Sequence, residues 1–345
     1  MSGNGIRSPF RAAARAASRV AARAASRGAT RGATRQRIVR GWTAIGRMRE
    51  RRTTARLLAG TMVLVAAAAL LVGAACQGVR NFGRGSVPVE IFTRGPMMAA
   101  AGSTFTVVSY NLRHGREVDL AIAELGNHPV LGKADIILLQ EMDGAGVEQM
   151  AGALGLNAAF APSSRDPEGR SFGTAILTAA PLRDVRPVVL PHEHPVTGQG
   201  RVALLATAAY RDHALRVACV HLEIPPLPLA ARLEQLDHVI GSLDHAEIPL
   251  LVGGDFNTIT RYEMNLVSRA MRQAGLRRVN IGAKNTAYRS FLGWRAIGAR
   301  VDHFFVRGLD VLAGGVVLNT DSSDHRPIWA QFSWPDEPPR RLRRD

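Results

Sequence analysis

The chain has 345 residues, enough for one large domain or two modest ones, and a formal net charge of +16. Its two cysteines, Cys76 and Cys219, argue against a disulfide framework and against a cysteine-based zinc site. The charge does not by itself indicate a nucleic-acid partner, because fifteen Arg and one Glu in residues 1–76 account for +14. The other 269 residues hold twenty-nine Lys or Arg and twenty-seven Asp or Glu, a net of +2.

The amino-terminal part is predicted to be a basic tail followed by a membrane segment. Residues 1–56 contain little to bury and are predicted to be disordered. The apolar residues 57–75 are long enough to span a bilayer, and the preceding Arg residues predict that the amino-terminal side is cytoplasmic. The true start is open between Met1 and Met48, since a start at Met48 gives the basic and apolar regions of a secretory signal or anchor.

Two forms of attachment are compatible with the segment 57–76. It is either an uncleaved anchor or a lipoprotein signal, in which Val72–Cys76 resembles a lipobox with Gly73 in place of the usual Leu. The first form is favoured. Both predict a membrane-anchored protein whose folded domain is extracytoplasmic.

The remainder is predicted to be a linker over 77–102, one domain over 103–333 and a flexible tail over 334–345. Strand and helix patterns interleave in the domain, which predicts two stacked sheets covered by helices. Strands are predicted near 105–110, 134–141, 172–178, 202–210, 215–223, 249–257, 300–306, 311–318 and 327–332, and helices near 118–125, 147–154, 229–243 and 262–274.

The stretch Pro249–Asn257 combines a buried strand with reactive side chains at its end. If the strand continues to Asn257, then Asp255 and Asn257 leave the same face and point into one site. A carboxylate base beside a neutral hydrogen-bond donor suits the activation of water against a phosphate ester.

Other apolar strands also end in polar side chains, and a rigid scaffold can deliver strand ends to a single site. The residues concerned are Asn111, Glu141, His221, Asp255 with Asn257, Asp302, and Asp324 with His325.

Six short motifs around these residues resemble, in order, those of the endonuclease/exonuclease/phosphatase superfamily. They are Ser109–Gly115, Leu139–Glu141, Val220–Glu223, Gly253–Asn257, Arg300–Val306 and Ser323–Pro327. The resemblance runs from about Thr104 to Phe332. It implies a DNase I-like four-layer α/β sandwich, two stacked mixed sheets flanked by helices, and Mg²⁺-dependent phosphoester hydrolysis.

The resemblance also assigns metal and phosphate contacts. Glu141 is the main expected metal ligand, Asn111 helps to place the metal or a phosphate oxygen, and Asp324 touches the metal shell through water. Oxygen ligands of this kind suit Mg²⁺ or Mn²⁺ and disfavour zinc. Secondary candidates for phosphate contact are Arg113, His114 and Arg201.

The catalytic residues implied by the resemblance form a second group. Asp302 is expected to hold the ring of His325. Asp255 and His325 both serve the attacking water, and which of them is the general base stays open. Asn257 is expected to bind a non-bridging oxygen of the transition state, and His221 to donate to the phosphate or the leaving oxygen.

Departures from the family pattern bear on the substrate. Thr174 stands where many members have Asn, Val220 stands where Thr is common, and the Asn-Tyr-Pro-type segment of abasic-site endonucleases is replaced by His221 and Leu222. The first hypothesis is therefore a membrane-tethered phosphodiesterase or phosphatase, monomeric, acting on a lipid headgroup or another small phosphoester. The alternatives are a secreted non-specific endonuclease and, from a different class, a catalytically silent tethered binding module.

Overall fold

The computed structural model describes residues 78–94, 102–243, 248–291 and 294–335. Its helices are α1 (Val118–Asn127), α2 (Gly144–Leu154), α3 (Leu229–Ser242) and α4 (Arg261–Gln273), with a 3₁₀ turn at Leu131–Lys133. Its strands are β1 (Arg80–Asn81), β2 (Glu90–Phe92), β3 (Thr104–Asn111), β4 (Ile136–Met142), β5 (Asn157–Arg165), β6 (Ser171–Thr178), β7 (Leu182–Val189), β8 (Val202–Ala209), β9 (Ala214–His221), β10 (Leu250–Asp255), β11 (Arg277–Arg278), β12 (Ala287–Phe291), β13 (Trp294–Ala299), β14 (Asp302–Arg307), β15 (Asp310–Val316) and β16 (Ile328–Ser333).

Two large mixed sheets and one hairpin contain these strands. The eight-stranded sheet has the order β1-β5-β6-β4-β3-β16-β15, with β2 also paired to β5, and the six-stranded sheet has the order β11-β14-β10-β9-β8-β7. In each sheet one central pair is parallel, β3 with β4 and β9 with β10. The carboxyl ends of the two strands in each pair therefore lie at the same edge of their sheet.

The two sheets pack face to face, with helices on their outer faces. One apolar cluster joins the sheets and includes Leu138 of β4, Leu204 of β8 and Phe304 of β14. A second cluster lies between the six-stranded sheet and helices α3 and α4, and a third lies between the eight-stranded sheet and helices α1 and α2. The four-layer α/β sandwich predicted from the sequence is confirmed.

The structure differs from the predicted linker and tail. Residues 80–81 and 90–92, inside the expected linker, pair with β5, which would otherwise be the edge strand, so the eight-stranded sheet begins before residue 103. The exposed backbone groups of an edge strand account for this pairing. At the other end Trp334 is buried against Phe105, and its indole N–H donates to the carbonyl of Gly102.

Five of the described strands of the domain, among them the two-residue β11, lack a clear sequence signal. Strand β5 is built mostly from Ala, Pro, Ser and Asn, residues of low strand propensity, and its pairing with β6 explains why it forms. Strand β7 and the hairpin of β12 and β13 were likewise not predicted.

The predicted basic tail 1–56 and membrane segment 57–76 lie outside the described residues. Across the described ranges, every helix falls short of the length and apolar character that a membrane crossing needs.

Candidate active site

Three site residues stand in a row across the six-stranded sheet. Asp255, the last residue of β10, is in register with His221 of β9 on one side and with Asp302 of β14 on the other. Neighbouring strands are about 4.8 Å apart, which brings the three side chains together. All three are at most 2% exposed. The strand register thus converts three separate motifs into one buried cluster.

Two further site residues come from the parallel pair of the other sheet. Asn111 ends β3, and Glu141 lies where the pairing of β4 with β6 slips between Gln140 and Met142. Glu141 has a φ of 57°, a left-handed conformation that is uncommon outside glycine. Bulges of this kind redirect a side chain, and here the carboxylate of Glu141 turns towards Asn111.

Asn111 links the two sheets within the site. Its carboxamide nitrogen donates to Oε1 of Glu141 at 3.2 Å and to Oδ2 of Asp255 at 3.1 Å. Its carboxamide oxygen accepts from the backbone N–H of Arg113 at 3.0 Å. A buried carboxamide with three such partners has a defined orientation.

The loop before β16 supplies His325. The hydroxyl of Ser323 donates to the carbonyl of Asn111 at 2.7 Å and accepts from the backbone N–H of His325 at 3.1 Å. In the imidazole ring Nδ1 lies 3.1 Å from Oδ2 of Asp302, and Nε2 lies 3.7 Å from Oδ2 of Asp255. The ring therefore stands between the two carboxylates. The positioning role of Ser323 was not predicted from the sequence, although this residue belongs to the Ser323–Pro327 motif.

The charged groups in this cluster shift one another's pKa values. Burial raises the pKa of the Asp255 carboxyl to about 7, and the adjacent carboxylate of Asp302 acts in the same direction against the opposing effect of His325. Burial alone would lower the pKa of His325, but Asp302 and then Asp255 outweigh it and raise that pKa to about 10. At neutral pH His325 is therefore an imidazolium, and Asp255 is the group poised to gain or lose a proton.

His221 behaves differently from His325. Burial holds its pKa well below the usual range, and the positive charge of Arg201 adds to that effect. The ring is therefore neutral at physiological pH. Its Nε2 lies 3.8 Å from both Oε1 of Glu141 and Oδ2 of Asp255, beyond hydrogen-bond distance.

Asn257 does not continue the strand, contrary to the prediction from strand alternation. Strand β10 ends at Asp255, and Asn257 has a φ of 49°. Its backbone N–H donates to Oδ1 of Asp255 at 2.8 Å, and its carboxamide donates to the carbonyl of Leu222 at 2.7 Å. Asn257 thus stays beside Asp255, but a turn places it there, because Asn tolerates the left-handed backbone and its side chain is held by a hydrogen bond.

The three secondary candidates for phosphate contact, Arg113, His114 and Arg201, lie in two different environments. Arg113 and His114 are about half exposed and flank the cluster, with Nε of Arg113 3.6 Å from Oδ2 of Asp324 and Nε2 of His114 3.5 Å from Oε2 of Glu141. Asp324 is in contact with Arg113 and Ser323 and contributes to the raised pKa of His325.

Arg201, in contrast, is buried, with 6% exposure. It donates to Oε1 of Glu223 at 2.9 Å and lies over the ring of Phe172 at 5.1 Å. Phe172 in turn contacts the rings of His114 and His221. This aromatic contact was not predicted, because a single Phe at the start of a strand carries no functional signal.

The donor set fits a divalent metal ion. Asp255, Asp302 and His325 offer ligand atoms that lie within 4.8 Å of one another, but the ring of His325 binds a metal only after it has lost a proton, so the two carboxylates are the donors available at neutral pH. Oδ1 of Asp302 is buried and has no hydrogen-bond partner within the described part of the chain. Glu141 adds carboxylate oxygens of the hard type that Mg²⁺ and Mn²⁺ prefer, and Asn111 orients them through its carboxamide nitrogen.

Comparison with known proteins identifies the fold and the family. A UPF0294 protein of Yersinia enterocolitica is 28% identical over 160 residues, which is 46% of this chain and 58% of that protein, so the chain spans little more than half of that relative's length. The solved structure of an endonuclease/exonuclease/phosphatase family protein from Leptotrichia buccalis has a TM-score of 0.53 at 15% identity. The similarity covers 67% of this chain and all of that one. The D. rerio TDP2 structure in complex with a single-strand DNA product has the same TM-score at 19% identity, over the same shares.

The family model covers most of the domain that carries the site. It is described as the endonuclease/exonuclease/phosphatase family and matches residues 108–325, which include every site residue from Asn111 to His325. Fold and family together support a phosphoester hydrolase. The chain belongs to the endonuclease/exonuclease/phosphatase family.

Proposed function

We propose that the protein is an exported, membrane-tethered, Mg²⁺-dependent hydrolase of phosphoesters. The observation that carries the proposal is the convergence of Asn111, Glu141, Asp255, Asp302 and His325 at one edge of both sheets. A buried carboxylate with a pKa near 7 beside a buried imidazolium is an arrangement suited to proton transfer at neutral pH.

In this proposal Asp255 accepts the proton of the attacking water. The orientation of its carboxylate is fixed by two hydrogen bonds, because the backbone N–H of Asn257 donates to one oxygen and the carboxamide of Asn111 donates to the other. The imidazolium of His325, held by Asp302, donates to a phosphoryl oxygen and stabilises the charge that develops there. Neutral His221 is placed to donate to the phosphate or the leaving oxygen.

Glu141, Asn111 and Asp324 would hold the metal ion. When bound, Mg²⁺ supplies neutralisation of phosphoryl charge and polarisation of the phosphorus–oxygen bond. The chain's own contribution is the orientation of these oxygens, which depends on the left-handed backbone of Glu141 and on the link from Asn111 to both sheets.

The activity test uses the purified full chain with bis-p-nitrophenyl phosphate, plasmid DNA and phospholipid vesicles, each with Mg²⁺ and with EDTA. We expect Mg²⁺-dependent hydrolysis of the small diester or the phospholipid. Cleavage of plasmid DNA in preference to both would favour the nuclease alternative, to which the DNA product in the TDP2 structure draws attention. A folded chain that hydrolyses none of the three would favour the binding module.

The proposed tether rests on residues 57–76 of the sequence. Fractionation of cells that express the full chain should place it with the membrane, and protease added to the periplasmic or outer side should digest the folded domain. The variant Cys76→Ser separates the two forms of attachment, because only a lipoprotein would lose a covalently attached lipid. Recovery of the wild-type chain in the cytosolic fraction would refute the tether.

A further inference from the structure

Exposed apolar side chains are concentrated at the edge of the sandwich that carries the candidate active site. In the described part of the chain, seven large apolar side chains are exposed. Two of them, Ile91 and Leu312, lie within the strands β2 and β15. The other five lie in loops or in the first turns of helices, and we call them the apolar rim: Leu120, Val196, Ile259, Tyr262 and Leu318.

The six-stranded sheet places three members of the apolar rim at the active-site edge. Strand β8 is antiparallel to β9, so the loop before β8, which contains Val196, lies beside the end of β9 at His221. Ile259 lies between Asp255, which ends β10, and the start of helix α4, and Tyr262 lies in the first turn of that helix. The capping box fixes this turn, so Tyr262 is presented by an ordered backbone.

The eight-stranded sheet supplies the other two members. Strand β16 is antiparallel to β3, and β15 is antiparallel to β16, so the loop between β15 and β16 lies at the end of β3. This loop contains both Leu318 and His325. Leu120 is in the first turn of α1, the helix that follows Asn111 at the end of β3. The apolar rim therefore surrounds the site from both sheets and from both outer helix layers.

The described loops at the opposite edge of the sandwich differ. They also contain large aliphatic side chains, and six of these are at most 8% exposed: Leu131, Leu156, Leu243, Ile248, Leu276 and Leu309. A single exposed apolar side chain is ordinary on a protein surface. Five around one opening, with none of the seven in the described loops of the other edge, indicate that the opening meets an apolar partner.

Exposed basic side chains accompany the apolar rim. Arg261 lies between Ile259 and Tyr262 in the sequence, and Arg116 lies in the loop between β3 and α1. Both are exposed, and neither forms an ion pair within the described residues. Protein segments that dock on an anionic lipid surface combine aliphatic and aromatic side chains, which enter the boundary between headgroups and acyl chains, with basic side chains that contact the phosphates.

A nucleic-acid strand fits this edge less well than a lipid surface. Aliphatic side chains such as Leu318 offer nothing to a phosphate backbone, and the exposed carboxylates of Glu117 and Glu193 lie at the same edge. The 269 residues that follow Cys76 have a net charge of only +2, which does not favour a large number of phosphate contacts.

We propose that the apolar rim docks on the surface of a lipid bilayer that contains anionic phospholipids, with the active site towards the headgroups. The phosphoester substrate is then a phospholipid in that surface, which deepens the proposed function and rests on it. Docking removes the rim from water and presents the headgroup layer to the opening that holds Asp255 and His325.

The docking test locates the apolar rim relative to the bilayer. A fluorophore sensitive to its environment is attached at Tyr262→Cys in the full chain with Cys76→Ser, since the remaining Cys219 is buried. With vesicles of phosphatidylcholine and phosphatidylglycerol, we expect a blue shift of the emission and quenching by lipids that carry a nitroxide on the acyl chain. The same fluorophore at Asp212→Cys, in the turn between β8 and β9 at the opposite edge, should show neither effect.

The kinetic test uses two matched isoleucines. Ile259→Ser removes a side chain of the apolar rim that is 53% exposed, and Ile91→Ser removes one of equal exposure from strand β2. The quantity measured is the ratio of phospholipid hydrolysis to bis-p-nitrophenyl phosphate hydrolysis in Mg²⁺. We expect Ile259→Ser together with Tyr262→Ser to lower this ratio about tenfold, and Ile91→Ser to leave it unchanged. Thermal unfolding of each variant verifies that it is folded.

Three outcomes would overturn the proposal. The first is a fluorophore at position 262 that stays in water in the presence of the vesicles. The second is an equal ratio of the two hydrolysis rates in the Ile259 and Ile91 variants. The third is a shift of the emission with plasmid DNA and none with vesicles, which would make the edge a nucleic-acid surface.

The same measurements separate this proposal from the proposed function. If neither phosphoester is hydrolysed but the fluorophore at position 262 is quenched by the nitroxide lipids, the hydrolase proposal fails and the docking surface stands. If bis-p-nitrophenyl phosphate is hydrolysed and the fluorophore is not quenched, the hydrolase proposal stands and the docking surface fails.

Discussion

The carboxamide nitrogen of Asn111 lies 3.1 Å from Oδ2 of Asp255, and this hydrogen bond joins the eight-stranded sheet to the six-stranded sheet. Asn111 ends β3 and Asp255 ends β10, so the site exists only where the two sheets are stacked in one orientation. The apolar cluster between the sheets maintains that orientation, which makes the geometry of the site a consequence of core packing.

Replacement of Asp255 by Asn tests the assignment of the proton acceptor. The variant keeps the shape of the side chain and loses its basicity, so we expect kcat on bis-p-nitrophenyl phosphate to fall by about 10²–10⁴-fold. The control is Asp237→Asn, which changes an exposed carboxylate on helix α3. Turnover of the Asp255 variant within a few-fold of wild type would exclude Asp255 as the base.

Replacement of Asp302 by Asn should change the titration of His325. Among the three carboxylates that raise the pKa of this ring, Asp302 has the largest effect, so its neutralisation should lower that pKa. Imidazole NMR signals followed against pH in EDTA report the change directly, and loss of activity alone would not. An unaltered His325 titration would contradict the role given to the 3.1 Å contact.

Glu124 of helix α1 holds the loop that carries His325. Its Oε1 accepts from the backbone N–H groups of Asp321 and Ser322, at 2.6 and 3.3 Å. Glu124→Gln should therefore lower the free energy of unfolding by about 1–3 kcal/mol and accelerate amide exchange in residues 321–325. Glu117→Gln, an exposed change just before the same helix, is the control. Equal exchange in both variants would show that the loop does not depend on Glu124.

The backbone of Gly254 cannot accept a side chain. Its φ is 140°, and an added Cβ would lie 1.9 Å from the carbonyl oxygen of Val220 on the neighbouring strand. Gly254→Ala should therefore destabilise the fold by several kcal/mol and displace Asp255. Gly152→Ala in helix α2, where a Cβ meets nothing within 4 Å, should instead stabilise by about 0.5–1 kcal/mol. Urea unfolding measures both, and similar midpoints would contradict this expectation.

The buried imidazole of His303 makes stability depend on pH. Burial, then Arg278 and Arg300, hold its pKa well below the usual range, and its Nε2 lies 2.9 Å from the hydroxyl of Thr258. Below about pH 6.5 the unfolded chain binds a proton at this residue that the folded chain does not, so the free energy of unfolding falls as the pH falls.

At pH 5 this single histidine should account for a loss of up to about 2 kcal/mol. Urea unfolding of the wild type and of His303→Gln, in EDTA at pH 7 and pH 5, isolates the contribution. The variant should lose less stability between the two pH values. His221 has a depressed pKa for the same reason, so part of the dependence should remain in the variant. The same loss in both proteins would refute the assignment to His303.

Much of the site could be anticipated from local patterns. Short apolar runs that end in Asn111, Glu141, His221 and Asp255 indicate strand ends, and the structure confirms strands there. At Asn257, where the backbone leaves the strand, the prediction from strand alternation was wrong. The turn at Asn257 is held by a hydrogen bond to Leu222, a residue 35 positions away that no local window contains.

The sequence by itself therefore determined which side chains stand at the ends of buried strands, because strand periodicity is a local property of the backbone. Only the tertiary structure decided which strand ends meet, that the row His221, Asp255 and Asp302 crosses one sheet, and that Arg201 is withdrawn behind Phe172. Asn111 and Asp255 are 144 residues apart. Their contact depends on the packing free energy of the whole core, and no local pattern encodes that.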